Sequence, residues 1–185
     1  MPPDALLDLR PPPVTPDLFR DAMSRLGAPV TLVTTDGAAG RHGLTASAVT
    51  SVSDAPPTVL VCLNRTNRSH QAFLANGVVG LSLLSGGHED LAAAFASSRR
   101  STEEKFAAGT WHTDATGAPL FGDALATLDC SIGAIHAAGS HDVLFCTVRA
   151  IRLHPQGGTG LAWFDRRFHH LPPAPQTGPT PSRHP

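Results

Sequence analysis

The chain has 185 residues, which is the length of one domain. Its 14 basic and 15 acidic residues leave a net charge of −1, so the composition gives no sign of the basic face of a nucleic-acid-binding protein. No run approaches the roughly 20 apolar residues of a membrane helix, and the N-terminus lacks the basic head and apolar run of a signal peptide. Three cysteines without CxxC spacing, Cys62, Cys130 and Cys146, are expected to be buried, reduced thiols of a cytoplasmic protein.

The prolines divide the chain into three parts. Of 17 prolines, six lie in residues 1–16 and six in residues 172–185. We therefore predict a proline-rich N-terminal extension over 1–16, one compact domain over 17–171 and a disordered tail over 172–185.

The first predicted element is a helix that follows Thr15. Thr15 suits the N-cap, Pro16 the first helical position and Gly27 the residue after the last turn. Apolar residues recur at spacings of three and four: Leu18, Phe19, Ala22, Met23 and Leu26. This stripe predicts that the helix packs on the body of the protein.

The remaining chain alternates strands with short helices. Strands are predicted over 30–35, 44–53, 58–63, 78–84, 126–137, 143–154 and 160–168, helices over 67–75 and 88–97, and irregular structure over 98–118. Consecutive strands need hairpin connections, so the sheet is predicted to be largely antiparallel. Long strands with few helices indicate a mainly β fold with peripheral helices, in which the sheet closes into a small barrel that leaves no exposed edges.

Small and hydroxylated side chains alternate over residues 43–53. In a strand, one face would carry Thr45, Ser47, Val49 and Ser51, and the other Ala46, Ala48, Thr50 and Val52. Such a strand would let a flat ligand approach the backbone and bond to its N–H and C=O groups, while the hydroxyls could serve a phosphate. A plain half-buried strand is the alternative interpretation.

Polar residues crowd the turn that follows the predicted strand 58–63. Asn64, Arg65, Arg68 and Ser69 lie where a strand passes into a helix, and the amides of a helix N-terminus add partial positive charge there. The turn is therefore a candidate anion site, with an ordinary helix capped by Asn67 as the alternative. The sequence has no Gly-x-Gly-x-x-Gly and no Walker loop, so a nucleotide would bind by another scheme.

A histidine lies in the turn predicted for residues 139–142. The imidazole of His141 would face solvent or a pocket, where it suits acid–base work or contact with an anion. A simple hairpin turn is the alternative. The other histidines lack the spacing of a metal site, so no metal is predicted. The lack of a Gly-x-Ser-x-Gly elbow argues against a hydrolase built on His141 and Asp142.

Aromatic and arginine side chains alternate at the end of the last predicted strand. Phe164 and Phe168 could stack on a planar ring, and Arg166 could hold a phosphate. A barrel edge with solvated arginines is the alternative interpretation.

These stretches, in this order, resemble one protein family. The resemblance is carried by LFRDAMSRLGAPVTLVTT, GLTASAVTSVSDAPPTVLVCLNRTNRSH, GSHDVLF and LAWFDRRFHHL. The chain is similar to the short-chain flavin reductases of two-component flavin-dependent monooxygenase systems. That resemblance implies a homodimeric FMN-binding split β-barrel, mostly antiparallel and Greek-key-like. It also implies an NAD(P)H:flavin oxidoreductase that takes a hydride from NADH or NADPH, reduces FMN or FAD, and supplies reduced flavin to a partner monooxygenase.

The resemblance also assigns residues to the site. The strand Thr45, Ala46, Ser47, Ala48, Val49, Thr50 and Ser51 would lie against the isoalloxazine and the ribityl chain. Cys62, Asn64 and Ser69 would complete the ribityl and phosphate site, with Arg65 or Arg68 as anion partners. His141 would be the catalytic residue, near the nicotinamide. Phe164, Arg166 and Phe168 complete the cofactor-binding set. The two phenylalanines match positions where the family usually carries tyrosine, and this chain has no Tyr.

Two other functions are compatible with the same fold. One is an oxidase or oxygenase that retains its flavin, and the other is a non-catalytic flavin- or haem-binding carrier or sensor. Fold alone does not decide between them and a flavin reductase.

Overall fold

The structure is a computed structural model that describes residues 13–173. In this range the helices are α1 (Pro16–Ser24), α2 (His70–Asn76), α3 (Glu89–Ala96) and α4 (Thr102–Phe106). The strands are β1 (Ala28–Pro29), β2 (Thr31–Thr35), β3 (His42–Ala46), β4 (Val49–Asp54), β5 (Pro57–Asn64), β6 (Val78–Leu83), β7 (Trp111–Thr113), β8 (Pro119–Phe121), β9 (Ala126–Ala138), β10 (His141–Leu153), β11 (Gly160–Phe164) and β12 (Arg167–Leu171). Most of the predicted extension (1–16) and tail (172–185) lies outside the described residues. None of the described helices is long and apolar enough to cross a bilayer.

Seven strands form the main sheet, in the order β3-β2-β6-β9-β10-β5-β4, and every neighbouring pair is antiparallel. The two edge strands, β3 and β4, are consecutive in the chain and are separated only by Ser47 and Ala48. Cys62 N, on β5, donates a hydrogen bond of 3.0 Å to Ala48 O. A link this short brings opposite edges together, so the sheet curls into a barrel. The predicted mainly β, antiparallel barrel is confirmed.

Two apolar clusters hold the fold together. The first fills the barrel with side chains from β2, β5, β6, β9 and β10, among them Val33, Val61 and Leu144, and with Phe73 from α2. The second lies between the barrel, α3 and β11, and is centred on Phe95 and Leu161. Fully burying each large apolar side chain stabilises the fold by roughly 1.5–3 kcal/mol. The second cluster matters for function because it fixes α3 beside β3.

The predicted strand over 44–53 is wrong as a single element. The chain leaves the sheet at Ser47 and Ala48, which are exposed, and re-enters it as β4 at the opposite edge. None of the residues of β3 is exposed, whereas most of those of β4 are, so the alternation in the sequence does not correspond to alternate burial in either strand. The shared faces predicted for residues 45–52 therefore do not form.

The predicted strand over 160–168 is a hairpin. β11 and β12 pair in register around Asp165 and Arg166, whose φ angles are 49° and 59°. Two consecutive residues in the left-handed region make the tight turn that matches the twist of antiparallel strands. Such a turn is usually recognised in a sequence by glycine or asparagine. Neither residue occurs at positions 165 and 166, so the sequence did not indicate the turn.

The region 98–118 is more regular than predicted. α4 begins with a capping box: Glu104 N donates to Ser101 Oγ at 3.2 Å, and Ser101 N donates to Glu104 Oε2 at 2.7 Å. β7 and β8 then pair as a separate two-stranded sheet. The Ser-x-x-Glu spacing is the sequence signature of a capping box and could have predicted that a helix begins here.

The prediction for α1 is half right. Thr15 Oγ1 accepts a hydrogen bond of 3.1 Å from Leu18 N, and Pro16 begins the helix. However, none of the helix residues is buried, and the apolar stripe faces outward. The contacts with the body come from the polar side, where Asp165 N donates to Ser24 O at 2.7 Å and Arg166 pairs with Asp21.

Candidate functional site

An apolar cavity of about 500 Å³ lies between the end of β3 and one side of α3. Thr45, Ala46 and Ser47 form one wall, the small residues Ala92, Ala93 and Ala96 of α3 form the second, and Trp163 and Phe168 form the third. Thr45 Oγ1 donates to Ala92 O at 2.7 Å and so ties β3 to α3. Small side chains on two walls and aromatic rings on the third suit a flat ring system.

A second cavity of about 650 Å³ continues along β3 toward His42 and Gly43. It shares Ala96 and Ser97 with the first, so the two form one trough. Its lining includes four basic side chains: Arg68, Arg99, Arg100 and Lys105. Glu104 is the carboxylate among the lining residues, and it is engaged in the capping box of α4. This end of the trough therefore has the charge of an anion site.

The walls of the basic end are fixed by short-range contacts. A Cβ at Gly43 would lie 2.6 Å from the Phe95 ring, so only glycine lets β3 approach α3 this closely. Lys105 Nζ donates to Gly43 O and Phe95 O, both at 3.3 Å. Burial, and secondarily the nearby Arg68, lower the pKa of Lys105. Arg68 in turn donates to Ser98 O.

The turn between β5 and α2 carries Arg68 and Ser69 into the basic end. Asn67 Oδ1 accepts a hydrogen bond of 2.9 Å from Ser69 N, and Asn67 O accepts one of 3.0 Å from His70 N. Asn67 thus closes the turn, although α2 begins at His70 rather than at Asn67 as predicted. Ser69 is buried, which leaves its side chain at the floor of the basic end.

A strip of adjacent strand ends lies beyond the break at Ser47 and Ala48. Val49 pairs with Val61, and Asn64 pairs with His141. Neighbouring strands in a sheet lie about 4.8 Å apart, so Ala48, the start of β4, Cys62, Asn64 and His141 lie on adjacent segments of the sheet. His141 is not a turn residue as predicted. It is the first residue of β10, and the turn itself is Gly139 and Ser140.

The trough joins an apolar pocket to a cationic one. Comparisons with known proteins identify the family to which the chain belongs. Residues 23–172 match the family model described as flavin reductase like domain. The match covers most of the chain. The protein belongs to the flavin reductase-like family. It is an NAD(P)H-dependent flavin reductase, as the resemblance implied.

Named relatives support this assignment. The chain is 49% identical to the FMN reductase (NADH) RutF 1 of Methylorubrum extorquens over 92% of its length and 84% of the relative's. It superposes on the NADH:FAD oxidoreductase of Streptomyces globisporus with a TM-score of 0.79, at 30% identity over 88% of this chain and all of that one. It superposes on the styrene monooxygenase flavin reductase of Pseudomonas putida with a TM-score of 0.74, at 26% identity over 83% of this chain and 97% of that one.

The structure brings only part of the predicted flavin reductase site into the trough. Thr45, Ala46, Ser47, Arg68, Ser69 and Phe168 line it. Seven others line neither cavity and lie on the strip of strand ends beyond the break, where Val49 packs against the barrel core: Ala48, Val49, Thr50, Ser51, Cys62, Asn64 and His141. The remaining three residues lie elsewhere: Arg65 binds Asp142, Arg166 binds Asp21, and Phe164 lines a separate groove with Gly27 and Pro29.

Sequence analysis did not identify three basic residues that line the basic end of the trough. Arg99, Arg100 and Lys105 come from the stretch predicted as irregular. The run SSRRSTEEK, with two adjacent arginines among hydroxyl residues just after a helix, was the available signal. Their proximity to Arg68 arises only when the chain folds back across β3.

Of the three cysteines, Cys130 and Cys146 are not activated thiols. All three are free thiols. Burial raises the pKa of Cys130 and of Cys146 to about 12, so both remain protonated at neutral pH. Cys62 is half-buried rather than buried as predicted. Among residues 13–173, no cluster of three or more His, Cys, Asp or Glu side chains has the arrangement of a metal site.

Proposed function

We propose that this flavin reductase uses NADH to reduce FMN and releases the reduced flavin to a separate monooxygenase component. The reaction consumes NADH, FMN and one proton and yields NAD⁺ and reduced FMN. The observation that carries the proposal is the polarity of the trough. One end offers small apolar and aromatic walls, and the other offers four basic side chains within one cavity. FMN has the same polarity, with a planar ring at one end and a phosphate dianion at the other.

We propose a role at the trough for each group of residues. Thr45, Ala46 and Ser47 would lie along the ring, with Trp163 and Phe168 packed against it. Ser69 and Arg68 would hold the phosphate, helped by Arg99, Arg100 and Lys105, because several cations bind a dianion more strongly than one. The strip would extend the site beyond the trough. His141 would lie near the nicotinamide, and six residues would lie toward the ribityl chain: Ala48, Val49, Thr50, Ser51, Cys62 and Asn64.

The chemistry that the protein must support is hydride transfer from the nicotinamide to the flavin ring. Such a transfer needs two rings in close contact, and the protein supplies position and electrostatics. The apolar walls exclude water from the ring end, and backbone amides of the strand from Thr45 to Ser51 would stabilise negative charge on the reduced ring. His141 would bind or steer the nicotinamide nucleotide and is not required as a proton donor to the hydride step.

The test is a matrix of initial rates with purified protein. We expect NADH oxidation that requires added flavin, is faster with FMN than with riboflavin, and is faster with NADH than with NADPH. Loss of the flavin requirement, or no NADH oxidation with either FMN or FAD, would contradict the proposal. Adding a flavin-dependent monooxygenase across a dialysis membrane should still yield oxidised product, because reduced flavin itself is the shared intermediate.

We also propose that the protein is a homodimer that acts in the cytoplasm, with the activity contained in residues 17–171. The outward-facing apolar stripe of α1 supports the dimer, because Leu18, Phe19, Met23 and Leu26 are 42–61% exposed there. Two further exposed residues, Phe164 and Leu171, extend the apolar surface. Phe164 lies close to Gly27, shortly after the end of α1. A contiguous apolar surface of this size on a globular domain is typical of an interface. The three free thiols support a reducing compartment.

A further inference from the structure

Asp142 connects three segments at one end of the barrel. Its carboxylate is about one-tenth exposed, and each oxygen accepts a different hydrogen bond: from Arg65 Nε at 2.8 Å and from His70 Nε2 at 2.8 Å. Gln71 Nε2 lies 3.2 Å from His70 Nδ1 and donates to it, which is consistent with a proton on His70 Nε2. The guanidinium of Arg65, and then the His70 imidazole, hold the pKa of Asp142 below its ordinary value, so the carboxylate is ionised at neutral pH.

The three segments are parts of two different subsites. Arg65 and His70 bracket the turn that places Arg68 and Ser69 in the basic end of the trough. Asp142 directly follows His141 at the tip of the β9–β10 hairpin. Arg65 N also donates to the backbone oxygen at the hairpin tip, Ser140 O, at 3.1 Å. The partners of Asp142 are 77 and 72 residues away in sequence, so no local structure would hold them together.

Backbone pairing leaves one of these junctions unsupported. The backbone of His141 pairs with β5 and β9, but this pairing does not connect the His141 hairpin to α2. The start of α2 lies outside the sheet, and its link to β10 is the bond between His70, which is 4% exposed, and Asp142. A buried ionised carboxylate with two hydrogen-bonded partners sets their relative position more strictly than apolar contact does.

We infer that Asp142 is a positioning residue which, by binding Arg65 and His70, holds the phosphate-binding turn and the His141 hairpin in the geometry that both substrates need. This inference rests on the proposed function. Asp142 contacts neither substrate in it, and acts through Arg68 and Ser69 on the flavin side and through His141 on the nicotinamide side.

The first test is Asp142→Asn, which keeps the size of the side chain and removes its charge. We expect the KM for NADH and the KM for FMN each to rise about tenfold with kcat changed less than about twofold, since small displacements of positioning groups weaken binding strongly. Asp114→Asn is the matched control. Asp114 also binds an arginine, Arg152, and the pKa of Asp114 is also lowered. Arg152, however, lies roughly 35 Å along β10 from His141, at about 3.3 Å per residue.

A double-mutant cycle separates positioning from loss of stability. In a His141→Ala background, Asp142→Asn should raise the KM for FMN as before but should leave the KM for NADH unchanged, because the group it positions is gone. A purely structural role would raise both. The inference would be overturned by wild-type KM values in Asp142→Asn, or by additive effects of the two substitutions on the KM for NADH.

Two further measurements keep the inference testable in every case. If Asp142→Asn does not fold, Arg65→Met removes the bond between Arg65 and Asp142 instead. The Arg65 side chain is 41% exposed, and the inference requires that its loss raise the KM for FMN by the same factor. If the wild-type protein shows no flavin-dependent NADH oxidation, the proposed function fails instead. Quenching of FMN fluorescence then compares FMN binding by the wild type and Asp142→Asn directly, and equal affinities overturn the positioning role.

Discussion

Arg68 is the residue on which the basic end of the trough depends most. It comes from the turn before α2, donates to Ser98 O across the cavity, and lies close enough to Lys105 to lower its pKa. It therefore joins the turn predicted from sequence to the segment that sequence analysis missed. A dianion between these two segments would relieve the repulsion among their cations.

For Arg68→Met we expect the KM for FMN to rise about tenfold, the effect of one lost charge-assisted hydrogen bond. The KM for riboflavin, which lacks the phosphate, should stay within about twofold, because the ring end is untouched. Initial rates with both flavins measure the difference. Arg149→Met is the control, since Arg149 is exposed and its guanidinium donates to Ser131 Oγ on the opposite part of the sheet. An equal rise for both flavins would show that Arg68 supports the fold rather than the phosphate.

At the scale of elements, sequence patterns identified strands better than they identified where strands turn. The alternation from Leu44 to Ser53 indicated one half-buried strand, whereas β3 has no exposed residue and most of β4 is exposed. The break at Ser47 and Ala48 depends on barrel closure, which is a property of seven strands together. The turn at Asp165 and Arg166 was hidden for a different reason: tertiary contacts hold two non-glycine residues at positive φ.

That hairpin carries Phe168 into the trough and Arg166 onto α1, so its turn is a good place to test local energetics. Positive φ costs a non-glycine residue roughly 1–2 kcal/mol, whereas the exposed Arg166–Asp21 pair contributes about 0–1 kcal/mol. We therefore expect the double variant Asp165→Asn, Arg166→Gly to be more stable by about 1 kcal/mol, which raises Tm by about 2–4 °C in a domain of this size. Thermal unfolding checks this. Asp21→Ala, which breaks the ion pair but keeps the turn, should lower Tm by no more than about 4 °C rather than raise it. A lower Tm in the double variant would show that the turn is held by more than its φ angles.

At the scale of the whole molecule, the most informative feature is the orientation of α1. Sequence periodicity correctly gave the helix and its apolar stripe, and the natural expectation was that the stripe faces the core. The structure instead turns the polar side, with Asp21 and Ser24, toward the β11–β12 turn. The described residues leave this stripe exposed, and no pattern in a single sequence distinguishes a face that packs on its own core from a face that stays exposed on one chain.

A charge placed on the stripe tests the homodimer. We expect the wild-type protein to have the mass of a dimer by light scattering and Phe19→Asp to have the mass of a monomer, because Phe19 is 58% exposed in one chain and would be desolvated in the interface. Arg20→Asp is the control at an exposed position outside the apolar stripe and should remain dimeric. Circular dichroism should show the same fold for all three, since none of these side chains is buried within the chain. A monomeric wild type would contradict the homodimer itself, whereas a dimeric Phe19→Asp would place the interface away from α1. If the monomer also loses flavin reduction, the second copy completes the site beside the trough, and if activity persists, the trough of one chain is sufficient.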